Sequence, residues 1–191
     1  MAGLSTTLVS LGPRVTLQTL DPTAVTEAPP EVRAVGVFVT VLLVGGAYLW
    51  QFGPVVDRSV ASSRARPLRS AAYGVAAHVV ILFAVFYLGA RLSQFELLGR
   101  NTAVLGLVFG VVVVILVAAL GFTVVGTAIV ELGWGGTPWA GLVVGASIAS
   151  AIAVAASTPA GALWVAVVSV GIGGAVRKWL HASTVQEVRQ A

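Results

Sequence analysis

The chain of 191 residues has no cysteine, one methionine, one lysine, and only 9% charged residues. The missing cysteine excludes disulfides, thiolate metal sites and S-acylation, and leaves the compartment open. The scarcity of charge excludes an ordinary solvated surface. Its extreme is residues 101–130, thirty consecutive positions without Asp, Glu, Lys or Arg, bracketed by Arg100 and Glu131. A bilayer crossing needs roughly 20 apolar residues in a helix. Hydrophobic residues make up 58% of the chain, against roughly 45–50% in soluble domains. A charge-free run this long has no place on a water-facing surface.

A net charge of +4 and a pI near 10.4 do not point to nucleic acid, which calls for basic residues gathered on one polar face. Here the basic residues flank apolar runs, the pattern of loops retained on the cytoplasmic side of a membrane. No phosphate-binding glycine loop, zinc spacing or pair of carboxylates is present. The expectation is therefore no enzyme, no cofactor, no metal site and no nucleic-acid partner.

The expected fold class is all-α, a polytopic membrane bundle of about five transmembrane helices, with spans near 34–54, 70–90, 104–126, 139–156 and 159–176. Residues 1–33 read as an N-terminal extracytoplasmic tail, without the charged and apolar regions of a cleaved signal. The second residue is Ala2, not the glycine that myristoylation requires. Pro29 and Pro30 suit a helix start. Tyr48, Trp50 and Phe52 sit where rings favour the headgroup zone. Pro54 and Asp57 are expected to end the first span. The loop after it, DRSVASSRARPLRS, carries Arg58, Arg64, Arg66 and Arg69. It is read as a cytoplasmic topogenic signal and as a candidate site for lipid headgroups or a partner.

A straight helix over 101–130 is about 45 Å long, against a hydrocarbon core of roughly 30 Å. It must tilt, protrude or break, and Gly121 and Gly126 are the expected place of a break. The 45 residues between Glu131 and Arg177 carry no charge and suit two spans, divided by GWGGTPW (133–139) and STP (157–159). Residues 180–191 form a cytoplasmic tail. Five crossings put Arg58, Arg64, Arg66, Arg69, Arg177, Lys178 and Arg189 on the cytoplasmic side of the cell membrane. Arg14, Arg33, Arg91 and Arg100 lie outside, with the N-terminus.

Gly141, Gly145, Ala149, Ala153 and Ser157 recur every four residues, a small-residue ridge that lets helices approach closely. Gly106 and Gly110 repeat the spacing. Such faces serve packing within the chain, or a homo-oligomer or partner helix. His78 is the one ionisable side chain well inside a span. As an intramembrane ionisable group it is a functional candidate by default, as a proton relay, heme ligand or hydrogen-bond anchor. With no second histidine or buried acid in a span, a neutral imidazole bonded to Tyr73, Ser147 or Ser150 is the simpler reading. Glu131 reads as a helix end, or as the partner of an arginine in the basic loop. GASIA (145–149) is similar to the Gly-x-Ser setting of intramembrane serine proteases, which need a basic partner against the serine, but His78 comes earlier in the chain and the residue after Ser147 is not glycine.

RPLRSAAYG (66–74) leading into a span, and GFTVVG (121–126) late in the long span, resemble the hydrophobic domain of archaeal and bacterial membrane proteins that carry, or are encoded with, bactofilin-type polymer-forming modules. Thr127 stands where that family often has proline, and the β-helical module itself is absent. The likeness covers about half of the chain. It implies an anchor or organiser of a cytoskeletal or envelope assembly and brings no catalytic residues. Together these readings give a structural or interaction component of the membrane, surrounded by the lipid bilayer. The alternative is a small transporter or channel subunit, which requires polar residues along a path and broken helices.

Overall fold

Two consecutive prolines begin the first helix. Pro30 occupies its first turn, where no N–H partner is required, and the Arg33 amide donates to the Pro29 carbonyl at 3.1 Å. The computed structural model describes residues 28–92, 100–133, 135–155 and 158–190. Most of the expected N-terminal tail and the connection at 93–99 lie outside the described residues. The helices are α1 (Pro30–Ala65), α2 (Pro67–Leu92), α3 (Arg100–Gly133), α4 (Pro138–Ala155) and α5 (Thr158–Gln190). No strand occurs among the described residues. The architecture is an all-α bundle, and five helices are long and apolar enough to cross a membrane.

α1 does not end at Pro54. The helix kinks at Phe52 (φ −129°, ψ 28°) and resumes to Ala65. Proline lacks the N–H for the preceding turn and its ring crowds the carbonyl there, which bends a helix more readily than it stops one when packing holds both halves. Beyond the kink the helix is amphipathic. Val56, Ser59, Val60 and Ser63 are buried, at the spacing of one helical face, whereas Asp57, Arg58, Ala61 and Arg64 are exposed. The expected arginine-rich loop is thus mostly helix. The only non-helical residue between α1 and α2 is Arg66 (φ −151°, ψ 74°). The following Pro67 disfavours helical geometry at Arg66 and then starts α2.

α3 runs unbroken through Gly121 and Gly126, about 51 Å for its 34 residues. The expected break does not occur. Each glycine weakens an isolated helix by about 1 kcal/mol, but both are buried where another backbone comes close. Thr127 keeps its place in the helix, and its hydroxyl donates to the Thr123 carbonyl at 2.8 Å. Gly135, at φ 62°, supplies the left-handed turn between α3 and α4. α5 passes the expected end of its span near 176, and the expected tail continues it helically to Gln190.

α3 is the centre of the bundle and touches all four other helices. Phe122, Leu142, Ala146, Ala149, Val168 and Ile172 form the main core, and Val56, Val60 and Val124 a second. Along its length α1 changes neighbours. Gly45 lies against Thr123 and Leu142, Val56 and Val60 against Val124, and Ser62 and Ser63 against α5. The kink therefore carries α1 across the bundle. At the other end α2 and α3 meet lightly, through Gly106 beside Gly89 (3.9 Å from the position of a Cβ) and Gly110 beside Val85 (3.1 Å). Around them Phe83, Phe86, Leu105 and Phe109 are exposed, the surface that a bilayer solvates.

Candidate functional site: the arginine-rich end of the bundle

Small residues make this end. Ser70 and Gly74 on α2 are four apart, as are Ser169 and Gly173 on α5. A Cβ at Gly74 would strike the Ser169 backbone, and one at Gly173 the Ser70 carbonyl. The two helices thus meet backbone to backbone, which in lipid replaces the missing hydrophobic drive by dispersion and polar contacts. Gly171 meets Gly121 of α3 in the same way.

Serines fill the space that the glycines leave. Ser62 donates to the Gly174 carbonyl (3.2 Å) and accepts from Arg177 Nη2 (3.0 Å). Ser63 and Ser70 lie 3.1 Å apart, and both reach the Val170 carbonyl, at 3.0 and 2.9 Å. Two hydroxyl protons serve these three contacts, so one serine donates to Val170 while the other donates to the first. Ser59 donates to the Val55 carbonyl at 2.7 Å. A serine hydroxyl satisfied by a carbonyl costs little to bury, whereas an unpaired one costs about 1–3 kcal/mol.

Of the four arginines singled out in the sequence, only Arg64 reaches another helix in an ion pair. Its Nη1 lies 2.6 Å from Glu131 Oε2, tying α1 to the end of α3, the second of the two readings of Glu131. Arg58 donates to the Pro54 carbonyl one turn back (2.7 Å), and Arg66 and Arg69 are exposed. Both partners of the Arg64–Glu131 pair are about a third exposed, at 39% and 30%. A double-mutant cycle of Arg64→Gln and Glu131→Gln, read by unfolding in mixed micelles, is expected to give a coupling of about 0.5–1 kcal/mol that shrinks with salt. A coupling of zero would mean that the pair holds nothing together.

The ridge on α4 packs inside the chain. A Cβ at Gly141 would strike Thr127, and one at Gly145 the Phe122 backbone, with Gly126 opposite both. Ala149 is buried and Ala153 half-buried, and Ser157 lies outside the described residues. Gly106 and Gly110 face α2 more loosely.

His78 does not bond Tyr73, Ser147 or Ser150. Its Nδ1 lies 3.0 Å from the Gly74 carbonyl and 3.2 Å from Ser169 Oγ. Ser147 is exposed and donates to Val143 in its own helix (2.9 Å), with no base beside it among the described residues, and Ser150 donates to the Ala34 carbonyl of α1 (3.0 Å). Nδ1 donates to the Gly74 carbonyl in the tautomer that carries its proton there and accepts from Ser169 in the other, and among the described residues the buried Nε2 has no hydrogen-bond partner. The Trp164 ring stands edge-on at 6.3 Å. Among the described residues, no three His, Cys, Asp or Glu side chains gather as a metal site would require. His78→Phe is expected to lower stability by less than about 1.5 kcal/mol, because Ser169 can turn its hydroxyl to a carbonyl of its own helix. A larger loss in an SDS titration would show that the imidazole is a structural keystone.

The arginines, the spacing of α4 and His78 were legible in the sequence. The serines of α1 and α2 and the glycines of α5 were not singled out. The signal that marks them is the paired spacing of four, Ser70 with Gly74 and Ser169 with Gly173. Fold and site define a multi-pass helical membrane protein. No protein-family model, curated protein or solved structure matches the chain.

Proposed function

We propose that this protein is a structural or interaction component of the cell membrane, an anchor or organiser of a membrane-associated assembly. One observation carries the reading: the interior is consumed by its own packing. Among the described residues, every buried serine and threonine (Ser59, Ser62, Ser63, Ser70, Thr123, Thr127 and Ser169) is hydrogen-bonded within the chain. The helix crossings are closed by backbone contacts at Gly74, Gly121, Gly126, Gly145 and Gly173. A solute path needs polar groups left over to line it. Ionised groups gather instead at the arginine-rich end, which we place in the cytoplasm by the positive-inside rule, with the start of α1 outside. The resemblance of RPLRSAAYG and GFTVVG nominates a bactofilin-type polymer-forming protein as the partner.

Affinity purification from native membranes in mild detergent, followed by mass spectrometry, tests this reading. A stoichiometric partner that persists through size exclusion is the expected result. A second reading, a small proton-coupled transporter, is favoured only by the unsatisfied Nε2 of His78. A partnerless protein that carries flux in proteoliposomes, lost on His78→Phe with the fold intact, would replace the first reading by the second. Orientation follows from single-cysteine labelling on the natural cysteine-free background. The Ala65→Cys variant is expected to react only from the cytoplasmic side.

A further inference from the structure

A cleft of about 640 Å³ opens between the last turns of α1, the start of α2 and the end of α3, within the size range of small-molecule sites. Its α3 wall is wholly apolar and includes Val124, Ala128, Ile129 and Leu132, and opposite stand Ala61, Ala65 and Pro67. The polar groups at the cleft are Ser63 and Arg64. Ser63 is occupied by Val170 and Ser70, and Arg64 by Glu131. From Glu131 down to Val124 the groove descends about 10 Å along α3. Its lip, Ile129 and Leu132, is 41% and 70% exposed.

Positive charge flanks it along the chain. Arg66 lies between the lining residues Ala65 and Pro67, and Arg69 follows in the first turn of α2. Both are exposed, and neither is in the one ion pair found among the described residues, Arg64–Glu131. An apolar groove with a cationic rim, set at the edge of a membrane bundle, matches an amphiphile with an anionic head.

We infer that this cleft binds an anionic glycerophospholipid, with its phosphate held by Arg66 and Arg69 and an acyl chain lying along Val124, Ala128 and Ile129. The Arg64–Glu131 pair stands at the same end of the groove, and the trimethylammonium of a zwitterionic head would meet the two arginines as a like charge. The groove gives affinity for the chain, and the two arginines select the charge, since each basic residue near an anionic surface contributes about 1 kcal/mol. The site is independent of any protein partner and stands or falls separately from the proposed anchoring role.

Native mass spectrometry of the whole protein, titrated with phosphatidylglycerol or phosphatidylcholine of equal chain length, tests it. A one-to-one adduct with phosphatidylglycerol is expected, retained about fivefold less by Arg66→Gln or Arg69→Gln alone, and less again by the double variant. Ile129→Trp, which fills the groove and leaves every charge in place, is expected to abolish the adduct. Ala61→Phe fills it from the opposite wall and is expected to do the same, which guards against a folding defect in either variant. Millimolar inorganic phosphate is expected not to compete. Equal retention of phosphatidylcholine, full retention by both groove-filling variants, or displacement by phosphate would overturn the site.

Discussion

Gly145→Leu is expected to destabilise the protein by about 3 kcal/mol, the upper part of the range for overpacked cores. The Cβ of any residue at 145 would meet the carbonyl of Phe122 in α3, with Gly126 also facing this crossing. A clash against a side chain can relax by a rotamer change. A clash against backbone in the central helix can relax only by moving α4 away from α3, which breaks the contacts of Ala146, Ala149 and Leu142 as well. The gain of about 1 kcal/mol in helix propensity offsets only part of this. Gly161→Leu is the control, because nothing lies within 4 Å of a Cβ there, and it is expected to be neutral or stabilising. Unfolding in SDS or by steric trapping measures both. Equal stability of the two variants would remove the α3–α4 crossing from the account of the fold.

The second large effect is expected in the serine cluster. Ser63→Ala and Ser70→Ala should each cost about 1 kcal/mol and the pair together about 2 kcal/mol. Either serine alone still donates to the Val170 carbonyl, at 3.0 or 2.9 Å. What each single variant loses is the hydroxyl-to-hydroxyl bond, and the double variant loses the contact with Val170 too. The singles should therefore be nearly equal although Ser63 belongs to α1 and Ser70 to α2. A single variant as damaging as the pair would mean that one serine carries the whole contact with α5.

The long charge-free run of α3 was legible because a bilayer imposes it on any sequence that crosses. The kink was misread because Pro54 looks like a terminator when only local geometry is considered. The buried face of Val56, Ser59, Val60 and Ser63 shows why the helix resumes: the turns after the kink are held by α3 and α5 rather than by their own propensity. The arginines at 58, 64, 66 and 69 masked that face, since charge dominates a reading by composition. Gly121 and Gly126 were misread for a related reason. A glycine weakens a helix and admits a neighbouring backbone, and sequence alone does not say which effect prevails until the neighbour is known. Ser169 was invisible as the partner of His78 because it lies 91 residues away, and helix order in the chain does not fix which faces meet.

Two groups among the glycines of this bundle have opposite genetic fates. Every missense change in a glycine codon adds a side chain, so such a position has no smaller or equal substitute to drift through. At Gly74, Gly126, Gly141, Gly145 and Gly173 any added Cβ meets backbone, and all mutational steps from these codons lead downhill. At Gly36, Gly53, Gly89 and Gly161 the added atom meets nothing closer than 4 Å, and the same steps are open. A saturation library of the gene would show two such populations of one amino acid, and the intolerant codons alone would trace the lines along which α2 meets α5 and α3 meets α4.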